Sequence, residues 1–161
     1  MGADLAANGK LNSALSYSLS VSPYWNEIDA GRIASSFGKR STFSASGRAN
    51  LNWQARAGDV LQLNIQATGA RLQAQGVVAP SSTLNEGWRH NITDRVTATI
   101  TAQDLLNTNR FRRDLETPSL VENLRVLPVS RAVLLRRDYR FGGGASKAKT
   151  TDFDYGTGGE R

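Results

Sequence analysis

Apolar and polar residues alternate with a period of two along most of this chain. From Leu11 the odd positions read Leu11, Ser13, Leu15, Tyr17, Leu19, Val21, Pro23 and Trp25, while the even positions are mostly Ser or Asn. The pattern returns at Phe43. There Phe43, Ala45, Gly47, Ala49, Leu51, Trp53 and Ala55 alternate with Ser44, Ser46, Arg48, Asn50, Asn52, Gln54 and Arg56. Successive side chains of a strand point to opposite faces, so each segment has one apolar and one polar face. Long one-faced strands of this kind suit a sheet placed between lipid and water.

The alternation predicts six strands, at about 10–26, 42–56, 60–73, 82–91, 95–106 and 131–141. The third sets Leu61, Leu63, Ile65 and Ala67 against Gln62, Asn64, Gln66 and Thr68. The fourth is weaker, with Leu84, Trp88 and His90 opposite Asn85 and Arg89. The connections at 57–59 and 91–94 are short and carry turn residues. Those at 27–41, 74–81 and 107–128 are long. Short turns on one rim and long loops on the other form an outer-membrane barrel arrangement. With short turns below, Trp25 and Phe43 lie near the upper rim, and Trp53, Trp88, Tyr139 and Phe141 near the lower one. Such aromatic girdles flank the apolar band of a bilayer-embedded wall. The expected fold is all-β: about six antiparallel strands in an up-and-down meander, forming an open curved sheet that is part of a larger transmembrane β-barrel. Residues 1–9 read as a lead-in, 10–142 as the partial barrel, and 143–161 as a disordered periplasmic tail.

Composition supports a wall rather than a packed core. Hydrophobic residues make up 39% of the 161, below the roughly 45–50% of ordinary globular chains. The polar inner face of a barrel produces such a deficit. The net charge is +6, but the basic residues are spread and no nucleic-acid-reading element accompanies them. The chain lacks the ~18 consecutive apolar residues of a transmembrane helix. A barrel strand needs only about 9–11 residues. The start, Met1-Gly2-Ala3-Asp4, has no basic region followed by an apolar run, so a signal peptide is not expected at this position.

Three places resemble the C-terminal end of TonB-dependent outer-membrane receptors and related outer-membrane beta-barrel proteins. Gln103-Asp104-Leu105-Leu106-Asn107-Thr108 is similar to the D-L/I-F/L-N-T end of that family's penultimate strand. The run from Trp88 to Arg95 resembles the arginine, turn and Asp-Arg sequence before it. Asp138-Tyr139-Arg140-Phe141-Gly142 is similar to the terminal Y-x-F-G. The resemblance covers about residues 10–142. It implies a barrel of about 22 strands, of which these would be the last, importing a siderophore, a cofactor or an oligosaccharide. It also implies partners: outer-membrane lipid, the remainder of the barrel and its plug, the barrel-assembly machinery through the C-terminal strand, and TonB only through N-terminal parts not in this sequence. The implied location is the outer membrane of a Gram-negative bacterium. Arg48, Asn50, Asn52, Gln54, Gln62, Asn64, Gln66 and Arg89 are then expected to face the lumen. Asp104, Leu105, Leu106 and Asn107 form the strand-end motif.

Two residues break the apolar face. Glu86 falls on it in strand four, marking a bulge or a shifted register. Arg137 falls on it in strand six, close enough to the rim to snorkel. No enzyme and no cofactor is expected. Cysteine is absent and His90 is the only histidine, so neither a zinc site nor a histidine-based catalytic group can be completed. Gly38-Lys39 lacks the spacing and the Ser/Thr of a phosphate loop. The remaining alternatives are a soluble β-sandwich binding module and a small complete outer-membrane barrel. The second requires at least ~8 strands.

Overall fold

The computed structural model describes residues 1–29, 31, 38–117 and 119–142. Eleven strands follow one another: β1 (Leu5–Lys10), β2 (Leu15–Asp29), β3 (Lys39–Arg56), β4 (Asp59–Thr68), β5 (Arg71–Gln73), β6 (Gly76–Val78), β7 (Ser81–Asn91), β8 (Val96–Gln103), β9 (Phe111–Thr117), β10 (Leu120–Val126) and β11 (Ala132–Tyr139). They form two sheets. The large one has the order β1-β2-β3-β4-β7-β8-β11, and the small one β10-β9-β6-β5. Every pairing is antiparallel. The large sheet is a meander with two excursions, and those excursions build the small sheet. Among the described residues β1 pairs only with β2 and β11 only with β8, so the large sheet is open.

The faces follow the alternation. One cross-strand row reads Leu15↔Trp53↔Leu61↔Trp88↔Ile100↔Leu135. Most large apolar side chains of the large sheet share this face and stand bare: Phe43 is 67% exposed, Val133 73% and Leu135 76%, while Val60 and Leu134 lie on the other face. By contrast Leu72 and Val78, both in the small sheet, are the buried hydrophobic residues. A sandwich would cover the apolar face with a second sheet. Here the small sheet reaches β2 and β3 from their polar side: Tyr24 Oη donates to the Ala70 carbonyl at 3.2 Å and Asn26 Nδ2 to that of Leu72 at 3.4 Å. The soluble-sandwich alternative therefore has no second layer to rest on.

Several boundaries differ from expectation. Residues 5–10, expected within a lead-in, form a seventh wall strand from Leu5↔Val21 to Lys10↔Ser16. Of its face residues Leu5, Ala7 and Gly9, only the leucine is large, so no apolar stripe stands out. The strand expected at 10–26 is interrupted at 11–14, where Asn12 Oδ1 accepts the Ala14 N–H at 2.8 Å and closes a hairpin. β2 and β3 run past the expected loop ends to Asp29↔Lys39, and Lys39 pairs with Glu27 at 2.7 Å. Residues 30 and 32–37 of that loop and the tail expected at 143–161 lie outside the described residues. The strand expected at 60–73 leaves the wall at Thr68. It passes over β3 at Gly69, where an added Cβ would collide with Ser44 and Ala45. The loops expected at 74–81 and 107–128 supply β6, β9 and β10. Glu86 keeps regular register, Leu63↔Glu86↔Ala102, so neither a bulge nor a shift accounts for it. The register shift of the β3–β4 pair falls instead between Gln54 and Arg56.

Candidate functional site

The polar face of the wall carries a row of amides. On β3 and β4, Asn52↔Gln62, Asn50↔Asn64 and Arg48↔Gln66 lie directly opposite one another. β7 adds Asn85, opposite Asn64. Asn64 Nδ2 donates to Asn50 Oδ1 at 2.6 Å, and Asn85 Nδ2 donates to Asn64 Oδ1 at 3.3 Å. Asn85 Oδ1 in turn accepts the Asp104 backbone N–H at 2.9 Å. The relay thus crosses three strands and ends on the residue after β8, each link worth about 0.5–1.5 kcal/mol net. Arg48, Asn50, Asn64 and Gln66 line a cleft of about 860 Å³, together with residues of β7 and the β8 end. Asn52 and Gln62 lie nearer the short turns, where the Asn52 Oδ1 is buried without a partner and Gln62 is buried. Gln54 and Arg89 share the polar face by register but do not line the cleft: Gln54 Nε2 donates to the Arg56 carbonyl at 3.4 Å, at the rim.

Asp104 closes one end of the cleft and is 1% exposed. Its Oδ1 accepts the Thr108 N–H at 3.0 Å and the Asn109 N–H at 3.3 Å, and its Oδ2 accepts the Ser130 hydroxyl at 2.6 Å. One carboxylate therefore joins the end of β8 to both stems of the 104–131 excursion. Asp104 and Asn107 have φ of 44° and 53°. Asp and Asn tolerate that left-handed region better than other side chains, and the Asn107 N–H closes the turn onto the Asp104 carbonyl at 2.8 Å. In the Asp104-Leu105-Leu106-Asn107 motif, then, the polar residues make the turn. Leu105 donates its N–H to the Leu84 carbonyl at 2.8 Å, and Leu106 is exposed. Ser130, Thr108 and Asn85 belong to this clasp; the alternation places Asn85 on the polar face and Thr108 ends the motif, but nothing in the sequence marks Ser130.

The apolar face sets its own scale. Trp25 and Phe43 are directly opposite one another, and Trp53 and Trp88 share one row through Leu61. Phe43 and Trp53 are ten positions apart on β3, about 33 Å along a strand rising ~3.3 Å per residue. At a barrel tilt of about 40° that is about 25 Å of height, the height of a lipid-facing band. Tyr139 meets Phe141 edge-to-face at 4.5 Å beyond the lower row.

A family model described as the outer membrane protein beta-barrel family matches residues 1–135. The chain belongs to this family. No curated protein and no solved structure matches it. As an outer membrane barrel protein, it presents its bare apolar face to lipid, where exposure of Leu and Trp is the stable arrangement.

The short-turn rim carries a cluster of polar side chains around Asp59. Asp59 follows the 57–58 turn, outside the membrane span, and its Oδ1 lies 2.7 Å from His90 Nδ1 and 3.3 Å from Trp88 Nε1. The hydrogen bond from His90 holds the Asp59 carboxyl below its ordinary value, and Trp88 and Arg56 add to that lowering. His90 stacks on Trp88 at 5.8 Å, which places the histidine at the rim. Arg137 lies in the same cross-strand row as Ala98, His90 and Asp59, at the rim where its charge can reach water. Glu86 is half-buried on the apolar face, two positions from Trp88 along β7. Among the described residues no group of three or more His, Cys, Asp or Glu could hold a metal ion.

Proposed function

We propose that this chain is a section of wall from a larger TonB-dependent uptake barrel, taking in a ligand of the siderophore, cofactor or oligosaccharide class. The observation that carries the reading is the open sheet. Among the described residues β1 and β11 each leave one edge of backbone N–H and C=O groups unpaired, and lipid tolerates no such edge. Further strands must therefore complete the wall. In that assembly the Asn50–Asn64–Asn85 row and the neighbouring Arg48 and Gln66 face the lumen, where a plug or a passing polar ligand would meet them. The small sheet stands on the long-loop rim, facing the exterior. β11 would be the strand read by the barrel-assembly machinery, and TonB would act through a plug. On this reading the isolated chain makes no pore.

A second reading rests on the strand count. Seven wall strands are one short of the smallest outer-membrane barrels, which have about 8, so a small barrel needs only one more strand. One experiment separates the two. Outer membranes from the source cells are run unheated and heated on a gel and blotted with an antibody to residues 107–128. A heat-modifiable band far above 17.4 kDa, with ligand uptake that collapses with the proton-motive force, supports the receptor. A band near the chain's own mass, or a stable single-channel conductance from the chain alone, overturns it.

A further inference from the structure

The small sheet has two unlike faces. On one, Arg113 Nη2 meets Glu122 Oε1 at 2.7 Å, across the β9–β10 pair and half-buried. On the other, Arg112 and Arg125 lie directly opposite one another and both are exposed. Directly opposite residues have Cβ atoms about 4.5–5.5 Å apart, and like charges there destabilise the pair. No ion pair or hydrogen bond among the described residues reaches either guanidinium. Asp114, opposite Asn123, is the next residue of β9 on that face and sits diagonal to Arg125, yet among the described residues it forms no ion pair with either arginine; Glu116, opposite Val121, lies farther along. On the β6 side the Ala79 N–H donates to the Arg112 carbonyl at 2.9 Å, so a methyl group, not a larger side chain, borders the arginine pair. β6 lies this close because Gly76 does: a Cβ there would collide with the Asp114 carbonyl.

Two planar guanidinium forks held side by side repel each other until an oxyanion bridges them, each donating paired N–H bonds to its oxygens. We propose that Arg112 and Arg125 form a surface site for a phosphate-class oxyanion, either free or carried on a lipid headgroup. The site is independent of the transport reading, since it stands on the β9–β10 register alone.

The test is hydrogen exchange of residues 111–126 in the full chain in detergent micelles, with inorganic phosphate against sodium chloride of equal ionic strength. A second arm compares phosphatidylcholine vesicles with and without phosphatidic acid. Phosphate at about ten times its dissociation constant is expected to slow exchange about tenfold, and chloride is not. Protection by phosphatidic acid vesicles alone assigns the site to a headgroup, and still supports it. Arg125→Gln is expected to lose the response. Arg125→Glu, which pairs with Arg112, is expected to protect the hairpin without phosphate and to gain nothing from it. Equal effects of phosphate and chloride with no response to phosphatidic acid, or an undiminished response in Arg125→Glu, overturn the proposal.

Discussion

The wall and the small sheet are both antiparallel β, yet only the small sheet buries large apolar side chains among the described residues. In the wall the large apolar residues are the exposed ones, and the buried polar ones include Ser44, Gln62 and Thr101. In the small sheet Leu72 and Val78 are buried, while Arg112 and Arg125 stand in the open along with Leu120 and Val121 of the outer hairpin. The difference lies in the solvent. Lipid makes no demand on an apolar face and water does, so the same backbone pattern selects opposite side chains in the two media. One chain thus carries a membrane-adapted sheet and a water-adapted sheet, joined at the Asp104 clasp.

The clasp is where the comparison breaks most readily. Asp104→Ala strips the acceptors from the Thr108 and Asn109 N–H groups and the Ser130 hydroxyl. A destabilisation of about 4 kcal/mol is expected, read by urea unfolding of the membrane-embedded protein, with β11 and the small sheet loosening together. Next comes one chemical change made in both regions. Ile65→Arg, opposite Ala49 near the middle of the lipid-facing band, is expected to cost about 3 kcal/mol. Val121→Arg, on the small sheet, is expected to fall within about 0.5 kcal/mol. Equal costs would dissolve the distinction between the two sheets.

Glu86→Leu runs the other way. Removing a carboxylate from the lipid face is expected to stabilise the embedded protein by about 1 kcal/mol, and a loss of stability would mean that this face meets protein there. The smallest effect is at the rim. Because the folded Asp59 carboxyl titrates below its ordinary value, its contribution is present at neutral pH and is lost as pH falls through the folded value. The Trp88 indole N–H resonance is expected to shift over that acid range. In His90→Ala the midpoint moves up toward the ordinary carboxylate value of about 3.9.

Much of the wall is legible in the amino-acid sequence alone. The runs through Trp25, Phe43 and Trp53 assign faces correctly, because a period of two is a local property that each strand carries by itself. β1 is not legible, since Leu5, Ala7 and Gly9 offer too little contrast. The small sheet is not legible either: its strands are three to seven residues long, and the β6–β9 pairing that makes one sheet of two local hairpins joins separate excursions. The amide row is half visible. Asn50 and Asn64 are expected on one face, but their bond to each other depends on a register that only pairing establishes.

The sequence by itself determined the membrane-facing character of this protein, because lipid and water sort residues position by position. Tertiary structure decided what the long connections build, how Asp104 reaches Ser130 twenty-six residues away, and that Glu86 stays on the apolar face in regular register. Those outcomes depend on which distant segments lie side by side. Hydrogen bonding between backbones sets that arrangement, and no single strand encodes it.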